Sequence, residues 1–310
     1  MFVSLDRAVY FAPRGRKRLM FLGNLIAQRY LHPEDRLVGL VGDAGAGKSL
    51  LIRGMFPGLI LTNDDDGINV RPAPLLADAE AAAFRTHTYH LDVRFEAAFT
   101  SYGEMAQAVR GALRAHRRVV IEHFEQLFPV LKINAEVLIG IGEEVVVHRP
   151  GVFGPDPRRV AEEVFASLKY RKAAHSAEDL TSLAFQSLGY AEPEIHSDVR
   201  RGFLLEFPQP PRDLDLGAVE RRVKELIAAD VPICYVDDEH IKVGDVLHAC
   251  SGPRLHVRSA GEIGSFRLMK DFLYDPITHL YLLAGLVGEA AEHPPETVGL
   301  CPEEVINGTL

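Results

Sequence analysis

The sequence predicts two units of different class, an α/β unit on a mostly parallel sheet and then an α+β unit. Three observations carry this. Strand and helix signals alternate through residues 18–147, the pattern of a sheet with helices on both faces. A glycine-rich loop, Gly42-Asp43-Ala44-Gly45-Ala46-Gly47-Lys48-Ser49, separates a strand-like run from a helix-like run. Arg149 to Pro157 holds three prolines and two glycines in nine residues, which breaks both periodicities. The expected units are residues 1–150 and 157–310.

The elements follow in order. Arg18 to Tyr30 has helical spacing through Met20, Leu22, Leu25 and Ile26. Leu37 to Val41 reads as a short buried strand, and residues 50–56 continue a helix after the glycine loop. Leu59 to Thr62 is expected as a second strand, ending in Asn63-Asp64-Asp65-Asp66-Gly67, and Thr88 to Val93 as a third. Tyr102 to His116 is helical, Arg118 to His123 is a strand with an acidic end, and 136–141 and 144–147 are β-rich. The second half opens with a helix from Pro157 through Leu188. A strand at Gly202–Phe207 and a helix at Leu216–Ala228 follow, the latter striped by Val219, Val223, Leu226 and Ile227. Short strands and turns fill the rest.

Bulk properties narrow the function classes. At 310 residues, with 47% hydrophobic and 25% charged residues, the chain has apolar material for two cores. No apolar stretch approaches the roughly 20 residues of a membrane helix, and the first residues lack a signal-peptide core. Three cysteines (Cys234, Cys250, Cys301) make no disulfide framework. A cytoplasmic protein without a membrane partner is expected. The net charge of -9 argues against broad nonspecific nucleic-acid binding. Basic clusters at Arg14 to Arg18, Arg117-Arg118, Arg158-Arg159 and Lys169 to Lys172 are expected to be solvated.

The glycine loop fits G-x-x-x-x-G-K-[ST] in full, and its strand–loop–helix setting is the one that motif requires. Backbone N–H groups of Gly42, Gly45, Ala46 and Gly47 would converge on phosphate oxygens at a helix N-terminus. Lys48 would reach the β and γ phosphates, and Ser49 would hold Mg²⁺. Asp64 and Asp65 are candidates for a metal contact or for orienting an acceptor hydroxyl, because ligands of parallel sheets bind at carboxyl strand ends. Glu122, after Val119-Val120-Ile121, has the apolar-strand-then-acid pattern of a Walker B motif. No N-K-x-D guanine signature occurs, which favours ATP over GTP.

On these residues the first half resembles the P-loop kinases. Glu122 with the following Phe128-Pro129 is similar to the uridine kinase and phosphoribulokinase group. The loop with Asp64-Asp65 is similar to HPr kinase and ATP-type phosphoenolpyruvate carboxykinase. The resemblance implies ATP·Mg²⁺-dependent phosphoryl transfer to a small-molecule or nucleoside-like acceptor.

In the second half, Leu255 to Arg267 (LHVRSAGEIGSFR) resembles the end of the second additional, editing domain of alanyl- and threonyl-tRNA synthetases. His175-Ser176-Ala177-Glu178-Asp179 falls where that family has a His-x-x-x-His helix. The resemblance spans about Pro157 to Gly288. It implies zinc held by His175, Asp179, Cys250 and His256, with His248 as a spare ligand, and hydrolysis of mischarged aminoacyl-tRNA by a metal-activated water. Two departures oppose this: Asp179 replaces the second helix histidine, and the Cys250–His256 spacing is two residues longer. A zinc-free recognition domain is the alternative. Three functions are thus in view: a kinase, a tRNA-editing hydrolase with a regulatory nucleotide domain, and a nucleotide-dependent binding module without turnover.

Overall fold

The computed structural model describes residues 7–62, 72–193 and 195–294. Asp64, Asp65, Asp66 and Cys301 lie outside the described residues. The chain divides into two compact units, Met1–Ala12 with Arg16–Ser167, and Pro13–Gly15 with Leu168–Leu310.

The first unit opens with strand β1 (Arg7–Phe11) and helix α1 (Arg16–Tyr30). Strand β2 (Leu37–Gly42) then leads through the glycine loop into α2 (Lys48–Met55). After α3 (Pro74–Glu80) come β3 (Thr88–Asp92), the short α4 (Val93–Glu96), and α5 (Tyr102–Arg114). Ser101 and Glu104 close a reciprocal capping box at the start of α5. Strand β4 (Arg118–Glu122), α6 (Phe124–Leu131), β5 (Val137–Ile141) and β6 (Glu144–His148) complete the sheet.

The strand order is β1-β6-β5-β2-β4-β3. Strands β5, β2, β4 and β3 run parallel, whereas β6 and β1 add antiparallel pairings at one side. The sheet is therefore mixed rather than mostly parallel throughout. Alternation along its strands explains the two cores. Leu37 and Val41 of β2 join one cluster with helices α3, α5 and α6, while Val38 and Leu40 join the other with α1 and α2. Burial on both faces is why these strands read as continuous apolar runs.

Residues 59–62 are not a strand. Leu59 N–H bonds back to Phe56, and Thr62 N–H goes to a side chain, Nδ1 of His90 at 3.0 Å. Thr62 lies beside β3, the edge strand of the sheet, but its bonds to His90 run through side-chain atoms and not through a backbone ladder.

Helix α7 (Pro157–Ser187) belongs to the first unit up to Ser167 and to the second from Leu168. The proline-rich break at 149–157 is thus a turn inside the first unit. Val160 and Val164 pack so tightly on Gly140 that a Cβ there would lie 2.6 Å from Val160 Cγ1.

The second unit has an antiparallel sheet containing β7 (Ile195–Val199) and β8 (Gly202–Phe207), and helix α8 (Leu216–Ala228). Strands β9 (Ile233–Asp237), β10 (His240–Val243) and β11 (Val246–Ala249) form a separate antiparallel sheet. Strands β12 (Phe266–Leu268), β13 (Leu273–Asp275) and β14 (Leu280–Val287) join β8 and β7, in the order β12-β14-β8-β7 with β13 on β14. The core gathers Ala177, Leu180 and Phe185 of α7 with Phe203 and Leu205 of β8 and Val219 and Val223 of α8.

Three of the arginines expected to be solvated are buried: Arg14 (1% exposed), Arg118 (9%) and Arg171 (2%). Each finds carbonyl oxygens. Arg118 Nε donates to Asp35 O at 2.8 Å, and Arg171 Nη2 to Pro13 O at 3.1 Å.

Candidate functional site

Two side-chain constellations stand out, one in each unit. In the first, the glycine loop lies at the carboxyl end of β2. Gly45 (φ +78°) and Gly47 (φ +101°) sit in the left-handed region that favours glycine. Gly47 also has no room for a side chain, because a Cβ would lie 2.7 Å from Leu19 Cδ1. Ala46 N–H bonds to Asp43 O at 3.2 Å, which tightens the turn. Lys48 is buried, and its Nζ donates to the loop's own carbonyls, Gly42 O at 3.1 Å and Asp43 O at 2.9 Å.

Glu122 ends β4, the parallel neighbour of β2. Its Oε1 accepts from Ser49 Oγ at 3.0 Å and lies 3.2 Å from His90 Nε2. The tautomer of His90 follows from its other nitrogen. Thr62 N–H can only donate, so Nδ1 accepts and Nε2 carries the proton toward Glu122. Burial raises the Glu122 pKa, but the His90 bond, the charge of Lys48 and the Ser49 bond outweigh it, and the net direction is down. Glu122 is therefore a buried, ionised carboxylate aimed at the hydroxyl of Ser49. The glycine-loop motif made Lys48 and Ser49 legible, and the acid after an apolar strand made Glu122 legible. His90 and Thr62 were missed, because their role rests on contacts 28 and 32 residues apart.

The second constellation surrounds Arg14. Arg171, His175, Glu178 and Asp179 lie at i, i+4, i+7 and i+8 on one face of α7, and all are buried. Ligand atoms of Asp179, Cys250 and His256 lie within 4.8 Å of one another. His248 Nε2 is 3.7 Å from Asp179 Oδ1. His175, expected as a fourth ligand, is not in this group: its Nε2 meets Asp198 Oδ1 at 3.2 Å, and its Nδ1 has no hydrogen-bond partner among the described residues. Burial first, then the charges of Arg14 and Arg171, push His175 down to about 4 against the raising effect of Asp198.

The donor set does not fit zinc as it stands. Arg14 Nη2 binds Asp179 Oδ2 and lies 3.2 Å from His256 Nε2. His256 Nδ1 faces Pro253 O at 3.0 Å, and its Nε2 faces the Asp179 carboxylate at 2.6 Å. Nδ1 thus faces an acceptor, and Nε2 sits between the Asp179 carboxylate and the Arg14 guanidinium, so both ring nitrogens are already engaged. Burial and the Asp179 charge push the Cys250 thiol up to about 12, far from the thiolate that zinc needs. Burial raises Asp179, but the Arg14 charge and bonds from His248 and His256 hold it well below the usual carboxylate range. The sequence reading missed Arg14 entirely, since nothing in Pro13-Arg14-Gly15 distinguishes it from the solvated basic residues that follow.

No protein-family model and no curated protein matches this sequence. Among the described residues, no helix is long and apolar enough to cross a membrane.

Proposed function

We propose that the first unit binds ATP with Mg²⁺ and transfers its γ-phosphoryl group to a small or nucleoside-like acceptor. The observation that carries this reading is the Ser49–Glu122 pair beside the folded-back Lys48. A carboxylate at the end of β4 and a hydroxyl in the first turn of α2 are the hard oxygen ligands that suit Mg²⁺. Ser49 and Glu122 would hold the ion, which when bound neutralises charge on the phosphates. Lys48 leaves two loop carbonyls and takes phosphate oxygens instead. The Gly45–Gly47 backbone approaches the phosphates, and the N-terminus of α2 favours their charge. His90 holds the orientation of Glu122, with Thr62 fixing its tautomer.

The rival reading, a zinc-dependent hydrolase of aminoacyl-tRNA, needs the Asp179–Cys250–His256 group as ligands. Those donors are engaged with Arg14, Pro253 and one another, so no hydrolytic step is routed through them.

Calorimetric titration with ATP·Mg²⁺ tests the proposal. The wild-type chain is expected to bind, and Lys48→Ala to bind about 10- to 100-fold more weakly, since a hydrogen bond to a charged group contributes about 1.5–3 kcal/mol. ATP consumption against a panel of nucleosides and small metabolites then identifies the acceptor class. A wild-type chain that takes up no ATP would falsify the proposal.

A further inference from the structure

We propose that the Asp179–Cys250–His256 site is a cation site filled permanently by the guanidinium of Arg14, and that removing this side chain converts it into a zinc site. The inference is independent of the phosphoryl-transfer reading.

The guanidinium is a built-in occupant rather than a passing contact. Arg14 is 1% exposed. Its Nε donates to Ser251 O at 2.6 Å, its Nη1 reaches Glu178 Oε2 at 3.1 Å and His175 O at 3.3 Å, and its Nη2 binds Asp179 Oδ2. A planar fork with five donors is matched to this ring of carbonyls and carboxylates in a way that a spherical ion is not. The chain is shaped around it. Arg14 N–H is held by Asp198 Oδ2 at 3.3 Å. Gly252, at φ +93°, packs against the Arg14 side chain, and a Cβ on Gly15, at φ +89°, would lie 3.2 Å from Ser251 Cβ.

The residues left behind are a zinc ligand set. Thiol, imidazole and carboxylate are the groups zinc takes in tetrahedral sites, and softness favours it over magnesium. Asp179, Cys250 and His256 are within 4.8 Å of one another, and His248 stands 3.7 Å from Asp179 as a fourth. With Arg14 in place, zinc must displace a buried cation bonded to two carboxylates. Without it, Glu178 and Asp179 are buried charges with their main counter-ion gone, and a divalent ion restores neutrality.

The test compares the full-length wild-type chain with Arg14→Met, which keeps apolar bulk but no charge. Each is incubated with zinc sulfate, gel-filtered and analysed for metal by mass spectrometry. The wild type is expected to retain essentially none, and Arg14→Met about one zinc per chain. Zinc should raise the melting temperature of Arg14→Met and not that of the wild type. Cobalt should give Arg14→Met a thiolate charge-transfer band that disappears on adding Cys250→Ser. The proposal is overturned if the wild type holds about one zinc that Cys250→Ser removes. It is equally overturned if Arg14→Met folds and takes none. Should Arg14→Met not fold even with zinc, the wild-type metal content decides alone, its lack of zinc supporting the proposal and stoichiometric zinc overturning it.

Discussion

Glu122 is 2% exposed yet held as the anion, and His90, Ser49 and Lys48 contribute to that. His90 donates from Nε2, Ser49 donates from Oγ, and the Lys48 charge lies nearby. Substitution by glutamine separates shape from charge, because its amide oxygen can still accept from both neighbours while the negative charge is lost. On the proposed reading, Glu122→Gln should fold and still bind ATP, but lose about 10²-fold or more in ATP turnover, the usual cost of deleting a group that acts on the reacting centre. Initial rates beside calorimetry measure both properties. Equal turnover in the variant would remove Glu122 from the chemistry and leave it as a buried hydrogen-bond acceptor. Arg14 is the corresponding residue of the second unit, an ion whose two carboxylate partners are also buried.

Helices α1 and α2 meet through glycines. A Cβ on Gly54 would lie 2.0 Å from Met20 O, and one on Gly23 would lie 2.2 Å from Leu51 O. Alanine normally stabilises a helix interior relative to glycine by about 1 kcal/mol. Here the sign should reverse: Gly54→Ala drives a methyl into backbone, and overpacking of that kind costs about 1–3 kcal/mol. Urea denaturation should therefore give Gly54→Ala a lower midpoint than the wild type, and a higher midpoint would refute the close approach. Such contacts also mark the limit of sequence reading. Helix α8 and strand β8 match their expected bounds because their signals are local. Strand β1 went unpredicted, since an edge strand half exposed along its length is defined by its partner β6. The expected strand at 59–62 failed because a side chain, His90, took the Thr62 N–H. The glycine loop and Glu122 were legible from residue type and strand ends. At the second site Asp179, Cys250 and His256 were named together and do meet, but Arg14 was not named, because this cation is more than 150 residues distant in sequence from each carboxylate it serves.

At the scale of the whole chain, two electrostatic effects predict opposite responses to acid. The net charge of -9 at pH 7 falls toward zero near the isoelectric point of about 5.8, which relieves self-repulsion and favours the folded state. The buried groups of the second unit act the other way. His175 faces Asp198, Arg14 and Arg171 and has a folded pKa of about 4 against an ordinary value of 6.5. Between those values the unfolded chain binds the proton and the folded chain does not. Stability from this group is thus complete above about 6.5 and lost as the pH falls toward 4. The gap amounts to about 3 kcal/mol. Asp179 and Glu178, both depressed, extend the loss to lower pH, because their contribution is present above the unfolded carboxylate value and disappears as the pH drops through the folded one. Specific burial outweighs the general field here, since self-repulsion among exposed charges is screened within about 8–10 Å by salt. The chain should therefore be less stable at pH 5 than at pH 7 by thermal or urea denaturation. His175→Gln, whose amide can still donate to Asp198 without titrating, should flatten that slope between 6.5 and 4. A wild-type chain that gains stability on going to pH 5, or a variant with an unchanged slope, would mean that His175 is not the buried neutral base its surroundings require.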